Sequence, residues 1–143
     1  MNITIGHLYP DLLNLYGDRG NIQCLKKRCE WRGIRAEVKE FRSGDKVDFQ
    51  DLDIVLLGGG SDREQMIVCN KLKEIREDFK AYVESDGDVI AVCGGYQLLG
   101  KYYQTDVGLI EGLELVALDT EHKEGRLISN IVLKRDLCDL LVA

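Results

Sequence analysis

The sequence predicts an α/β fold with a mostly parallel sheet covered by helices on both faces. Three observations point there. Two short apolar runs, Ile54-Val55-Leu56-Leu57 after Asp53 and Val89-Ile90-Ala91-Val92 after Asp88, look like strands buried on both sides. Each run leads into glycines, at Gly58-Gly59-Gly60 and at Gly94-Gly95. The stretch between them has helical periodicity, and strands alternating with helices imply a parallel sheet.

The elements follow in order. Ile3 to Tyr9 reads as a first strand. Asp18-Arg19-Gly20-Asn21 offers helix-start chemistry, Ile22, Leu25 and Cys29 recur at helical spacing, and Gly33 suits a stop. Arg35 to Phe41 alternates charged with apolar residues, as a strand with one wet face does. Ser61 and Glu64 stand three apart as a capping box. Val68, Leu72, Ile75, Phe79 and Tyr82 then make one apolar stripe on a single helix that ends at Asp86-Gly87. After the second buried strand, Tyr96 to Tyr103 should begin another helix. Leu113 to Leu118 and Arg126 to Lys134 read as two further strands. With 143 residues and no repeat or linker, residues 1–143 form one domain.

Composition narrows the function. The chain is 45% hydrophobic and 31% charged with a formal charge of −6, ordinary for a folded soluble protein. An acidic total without a basic block argues against nucleic acid as a partner. No apolar run approaches the roughly 18 residues that a membrane span needs. The start, Met1 to His7, has neither the basic residues nor the apolar stretch of a secretory signal. Five cysteines, an odd count at irregular spacing, do not resemble a disulfide framework and fit a reducing cytoplasm. Cys24 and Cys29, five apart, fall on different faces of a helix, so no metal site is expected there. Most of the cysteines are expected to be small core residues.

Two segments could carry chemistry. Cys93 sits between a buried strand and a helix start, with Ala91 two before and Gly95 two after. That is a cysteine form of the strand–turn–helix elbow that exposes a nucleophile. A helix N-terminus beneath such a thiol favours the thiolate, the reactive form. The same pattern also suits a buried cysteine filling space. Gly58-Gly59-Gly60-Ser61 could present backbone N–H groups to an oxyanion or phosphate, or simply make a tight turn. It is not a dinucleotide fingerprint, because Arg63 stands where the third glycine is needed, and no Gly-Lys-Ser/Thr makes it a P-loop. Together the two segments point to acyl transfer through a tetrahedral intermediate. A proton shuttle would have to be His7 or His122, the two histidines present, and neither placement is compelling.

These residues carry a family resemblance. Cys93-Gly94-Gly95-Tyr96-Gln97-Leu98-Leu99-Gly100 resembles the nucleophile motif of class I (triad) glutamine amidotransferases, in the branch of the cobyric acid synthases. His7 to Asn21, Gly58 to Gln65 and Glu124 to Asn130 narrow it to the glutaminase subunits that supply ammonia for lipid II amidation in peptidoglycan synthesis. The resemblance runs from Met1 to about Lys134. It implies that Cys93 attacks the side-chain amide of L-glutamine, giving a glutamyl thioester and ammonia. Backbone around Gly59 and Gly60, with the N–H of Gly94, would hold the oxyanion. Arg126 would engage the substrate carboxylate, which a guanidinium can bond twice, and Gln97 would join the substrate-binding residues. No cofactor or metal is implied on this chain. Ammonia would pass to a MurT-like Mur ligase subunit, and ATP would be bound there.

In that family the triad histidine lies well downstream of the Gly-Arg-Leu segment. No histidine follows His122 here, so the resemblance is to a domain lacking its C-terminal part. The other readings are a catalytically impaired or non-catalytic amidotransferase-like module that only docks its partner, and a flavodoxin-like cofactor domain. The latter lacks a Ser/Thr-rich phosphate loop after its first strand.

Overall fold

The computed structural model describes residues 1–15, 17–105 and 108–125. Four parallel strands form the main sheet: β1 (Asn2–Leu8), β2 (Arg35–Phe41), β3 (Ile54–Leu57) and β4 (Asp88–Ala91), in the order β2-β1-β3-β4. In register, Ile5 lies beside Val38 and Ile54, and Leu57 lies beside Ala91. The parallel α/β architecture expected from the apolar runs is present.

Side-chain alternation distributes the core over two faces. Leu8, Val55 and Leu57 point into a large cluster with Leu13, Val68, Leu72 and Phe79, beneath α2 (Asp62–Glu74) and α3 (Arg76–Glu84). Ile5 and Leu56 point the other way, onto Ile22 of α1 (Asp18–Glu30), with Leu25, Ala36 and Val38 around them. α1 ends short of Gly33, whose φ of 66° suits the turn into β2.

Four expectations need correction. The stripe from Val68 to Tyr82 is carried by two helices, because Ile75 leaves helical geometry at φ −110° and ψ 13°. The bend keeps both segments on one core: Phe79 stacks on Phe49 at 5.2 Å between ring centroids, with Tyr82 against the same ring. The helix expected over Tyr96 to Tyr103 is α4, Gly94–Leu99, and it stops at Gly100, where a Cβ would meet the backbone and side chain of Leu118. Tyr102 and Tyr103 instead enter β5 (Tyr102–Thr105), which pairs antiparallel with β6 (Gly108–Glu111). Leu113 to Leu118 is not a strand; its amides bond back to Leu98, Leu99 and Gly100 at the end of α4. Finally, β4 is not buried on both sides among the described residues: Val89 and Ala91 pack on the large cluster, while Asp88 and Ile90 are exposed. The strand expected over Arg126 to Lys134 lies outside the described residues. No described helix is long and apolar enough to cross a membrane.

Candidate active site

β3 and β4 are neighbours, so the glycine loop and the cysteine turn leave the sheet side by side at its carboxyl edge. That edge is where parallel sheets place ligands. The Val92 N–H donates to Leu57 O at 2.9 Å and carries the pairing one step beyond the strands. The chain then turns sharply at Cys93, which has φ 52° and ψ −116°, a conformation that an L-residue adopts at a cost of order 1–3 kcal/mol. This is the elbow geometry, and it leaves Cys93 exposed. The turn demands a glycine two residues on. A Cβ on Gly95 would lie 2.5 Å from Gly58 O and 2.6 Å from Leu57 O, so elbow and loop fit only without a side chain there.

The loop is braced along its length. The Gly59 N–H donates to Asp18 Oδ2 at 3.4 Å, and Gly59 O accepts from Leu15 N at 3.1 Å. Gly60 O accepts from Gln65 Nε2 at 2.9 Å. Ser61 closes the loop in the expected capping box: its N–H donates to Glu64 Oε2 at 2.9 Å, and its side chain accepts from Glu64 N. These bonds hold Glu64 below the usual carboxylate range, the backbone donor first and the Ser61 hydroxyl second. Among the described residues, the loop amides of Gly58 and Gly60 have no protein partner, and the Gly94 N–H at the start of α4 also has none.

Two of these braces were not legible as functional. Asp18 reads from sequence as a cap for α1, yet Gly17 occupies the cap position with no side-chain bond there. The Asp18 carboxylate is 0% exposed and turned to the loop instead. Gln65 reads as an ordinary helix residue. It is 3% exposed and wedged between loop and elbow, so that a Cβ on Gly94 would fall on its side-chain amide. The available signal for both was their place beside glycines whose missing Cβ a polar side chain could fill.

The remaining candidates are placed as follows. Gln97 is half-buried on α4, one turn beyond Cys93, whose carbonyl accepts its N–H at 3.2 Å. Arg126 lies outside the described residues, as does Cys138. His7 is on β1, separated from β4 by β3, so two strand spacings of roughly 10 Å intervene. It is 1% exposed, and burial pushes its pKa down against the opposing charges of Glu40 and Asp18. His7 is thus not brought to the elbow. His122 stands in the exposed stretch after the β5–β6 hairpin. The cysteines are not mostly core: Cys24 and Cys93 are exposed and Cys29 is partly so, while Cys69 is buried. The Cys69 thiol, donating to Glu111 O at 2.9 Å, is pushed up by burial. No group of three or more His, Cys, Asp or Glu among the described residues could hold a metal ion.

Residues 4–140 match the CobB/CobQ-like glutamine amidotransferase domain. The chain belongs to this family. With that membership the flavodoxin-like reading falls. Among curated relatives, the chain is 40% identical over 141 residues to the lipid II isoglutaminyl synthase (glutamine-hydrolyzing) subunit GatD of Staphylococcus aureus, covering 98% of this chain and 58% of that one. It is 44% identical over 112 residues to the subunit of the same name from Streptococcus pneumoniae, covering 78% and 43%. Similarity to the cobyric acid synthase of Clostridium botulinum is more distant, 28% over 95 residues, covering 62% and 19%. The chain thus spans about half the length of the two GatD relatives.

Proposed function

We propose that this chain carries the nucleophile and oxyanion site of a glutaminase subunit of the GatD type. The observation that carries the reading is the strained, exposed Cys93, whose turn packs against the glycine loop through Gly95, with unpartnered amides in that loop and at Gly94. Cys93 Sγ attacks the side-chain carbonyl carbon of L-glutamine. The carbonyl oxygen takes the negative charge of the tetrahedral intermediate and is held by the Gly60 and Gly94 N–H groups. The Gly59 amide is engaged by Asp18 in this structure, so the proposal places the charge on the Gly60 and Gly94 amides, with Gly59 shaping the same loop.

The C–N bond then breaks, and the thiol proton leaves with the nitrogen as ammonia. Water cleaves the thioester, giving glutamate and restoring the thiol. This chemistry needs no cofactor on the chain. Arg126 and Gln97 are assigned to glutamine binding. Ammonia passes to a MurT-like, ATP-dependent ligase subunit that amidates the D-glutamate of lipid II. The relatives' names, subunits of a glutamine-hydrolyzing lipid II isoglutaminyl synthase, support lipid II amidation with a partner subunit.

The test is ammonia release from glutamine by the full-length protein with a MurT-like partner. Release should be glutamine-dependent and lost in Cys93→Ser. Equal release from the Cys93→Ser protein removes the enzymatic reading and leaves a docking module.

A further inference from the structure

Three buried polar atoms lack a hydrogen-bond partner among the described residues: His7 Nε2, Asp18 Oδ1 and Gln65 Oε1. Two of them belong to the side chains that grip the glycine loop. Such groups are costly to leave in a protein interior, so their retention calls for a reason. Asp18 is the sharper case. Its carboxylate lies directly under the loop, where a Cβ on Gly58 would come within 2.5 Å of its Cγ, and its other oxygen takes the Gly59 N–H.

We propose that Asp18 is a positioning residue for the oxyanion site: by taking the Gly59 N–H it fixes the loop so that the next amide, that of Gly60, faces the nucleophile. The argument is stereochemical. In extended backbone successive N–H groups point to opposite sides. Tying the Gly59 amide to the α1 side turns the Gly60 amide to the other side. Leu15 N on Gly59 O holds the peptide unit that carries the Gly60 N–H, Asp18 on Gly59 N holds the one before it, and Gln65 Nε2 on Gly60 O the one after, so none rotates independently. Gln65 also abuts Gly94, and thereby spaces the loop from the elbow that bears the second amide. A merely structural carboxylate in the first turn of α1 would gain from the helix dipole equally well facing solvent. Burial with one oxygen unpartnered is explained by the loop, not by the helix.

This assignment rests on the glutaminase reading, and its test separates the two. In the full-length protein, acylation of Cys93 by an activated γ-glutamyl ester is followed by intact-mass spectrometry. Its alkylation by iodoacetamide, which develops no oxyanion, is followed in parallel. Asp18→Ala should slow acylation on the order of tenfold to a hundredfold at saturating ester, with little change in half-saturation. That is less than the roughly 10²–10³-fold cost of removing an oxyanion donor outright. Alkylation and melting temperature should stay near wild type, and Asp18→Asn, which keeps an acceptor oxygen, should recover most of the rate. Wild-type acylation in Asp18→Ala overturns the proposal. So does a parallel loss of acylation, alkylation and melting temperature that Asp18→Asn leaves unrepaired, since that marks a fold support only. A wild-type protein whose Cys93 is alkylated but never acylated overturns the glutaminase reading and, with it, this assignment.

Discussion

Cys93 illustrates how one residue's conformation depends on what its neighbours lack. The positive φ places sulfur outside the sheet, and the turn closes because Gly95 presents no Cβ to the carbonyls of Leu57 and Gly58. Both obstacles are backbone oxygens of a buried strand end, so they cannot swing aside. Gly95→Ala should therefore destabilise the protein by about 1–3 kcal/mol, the usual range for overpacking. A lowered urea midpoint with unchanged slope is the expected result. The pattern of small residues around Cys93 was legible in the sequence, because steric exclusion acts locally. The roles of Asp18 and Gln65 were not, because each acts on backbone 41 or 5 residues away in the chain, across a gap that the fold creates.

At the scale of elements, α2 is the best-specified piece. Its capping box answers the orphan amides of its first turn from residues three apart, and Ser61 at the same time terminates the glycine loop. Ser61→Ala should cost about 1 kcal/mol, as loss of a good cap does. The cap is also pH-linked. The Glu64 pKa is lowered in the folded state, so its contribution is complete above the unfolded carboxylate value. It fades as pH falls through that value toward the depressed one. Stability of the wild type measured by urea unfolding from neutral to acid pH should carry this component, and the Ser61→Ala profile should be flatter over that window. Periodicity located α2 and α3 but merged them. An apolar stripe stays in phase through the bend at Ile75, since Val68, Leu72, Phe79 and Tyr82 all serve one core. The end of α4 was likewise hidden, because Gly100 stops the helix by its fit against Leu118, distant in sequence.

At the scale of the whole molecule, the larger core ties the site to the rest. Phe79 is fully buried and stacks on Phe49, which joins α3 to the segment between β2 and β3, while Leu57 and Leu98 of the same cluster flank the two loops of the site. Phe79→Ala should cost about 3–5 kcal/mol in unfolding free energy, read from thermal or denaturant melts. Alkylation of Cys93 under native conditions should survive, since the elbow is held by β3 and β4 rather than by α3.

By itself the sequence determined the parallel α/β class, the strand–turn–helix elbow at Cys93, the glycine loop and the family. Those depend on residue types at fixed short spacings, where backbone sterics and side-chain alternation leave few options. Tertiary structure alone decided which loop amides keep a protein partner, which side chains brace the loop, and which residues of β4 meet the core. Those outcomes depend on how far one element reaches over another, a distance that no local pattern encodes.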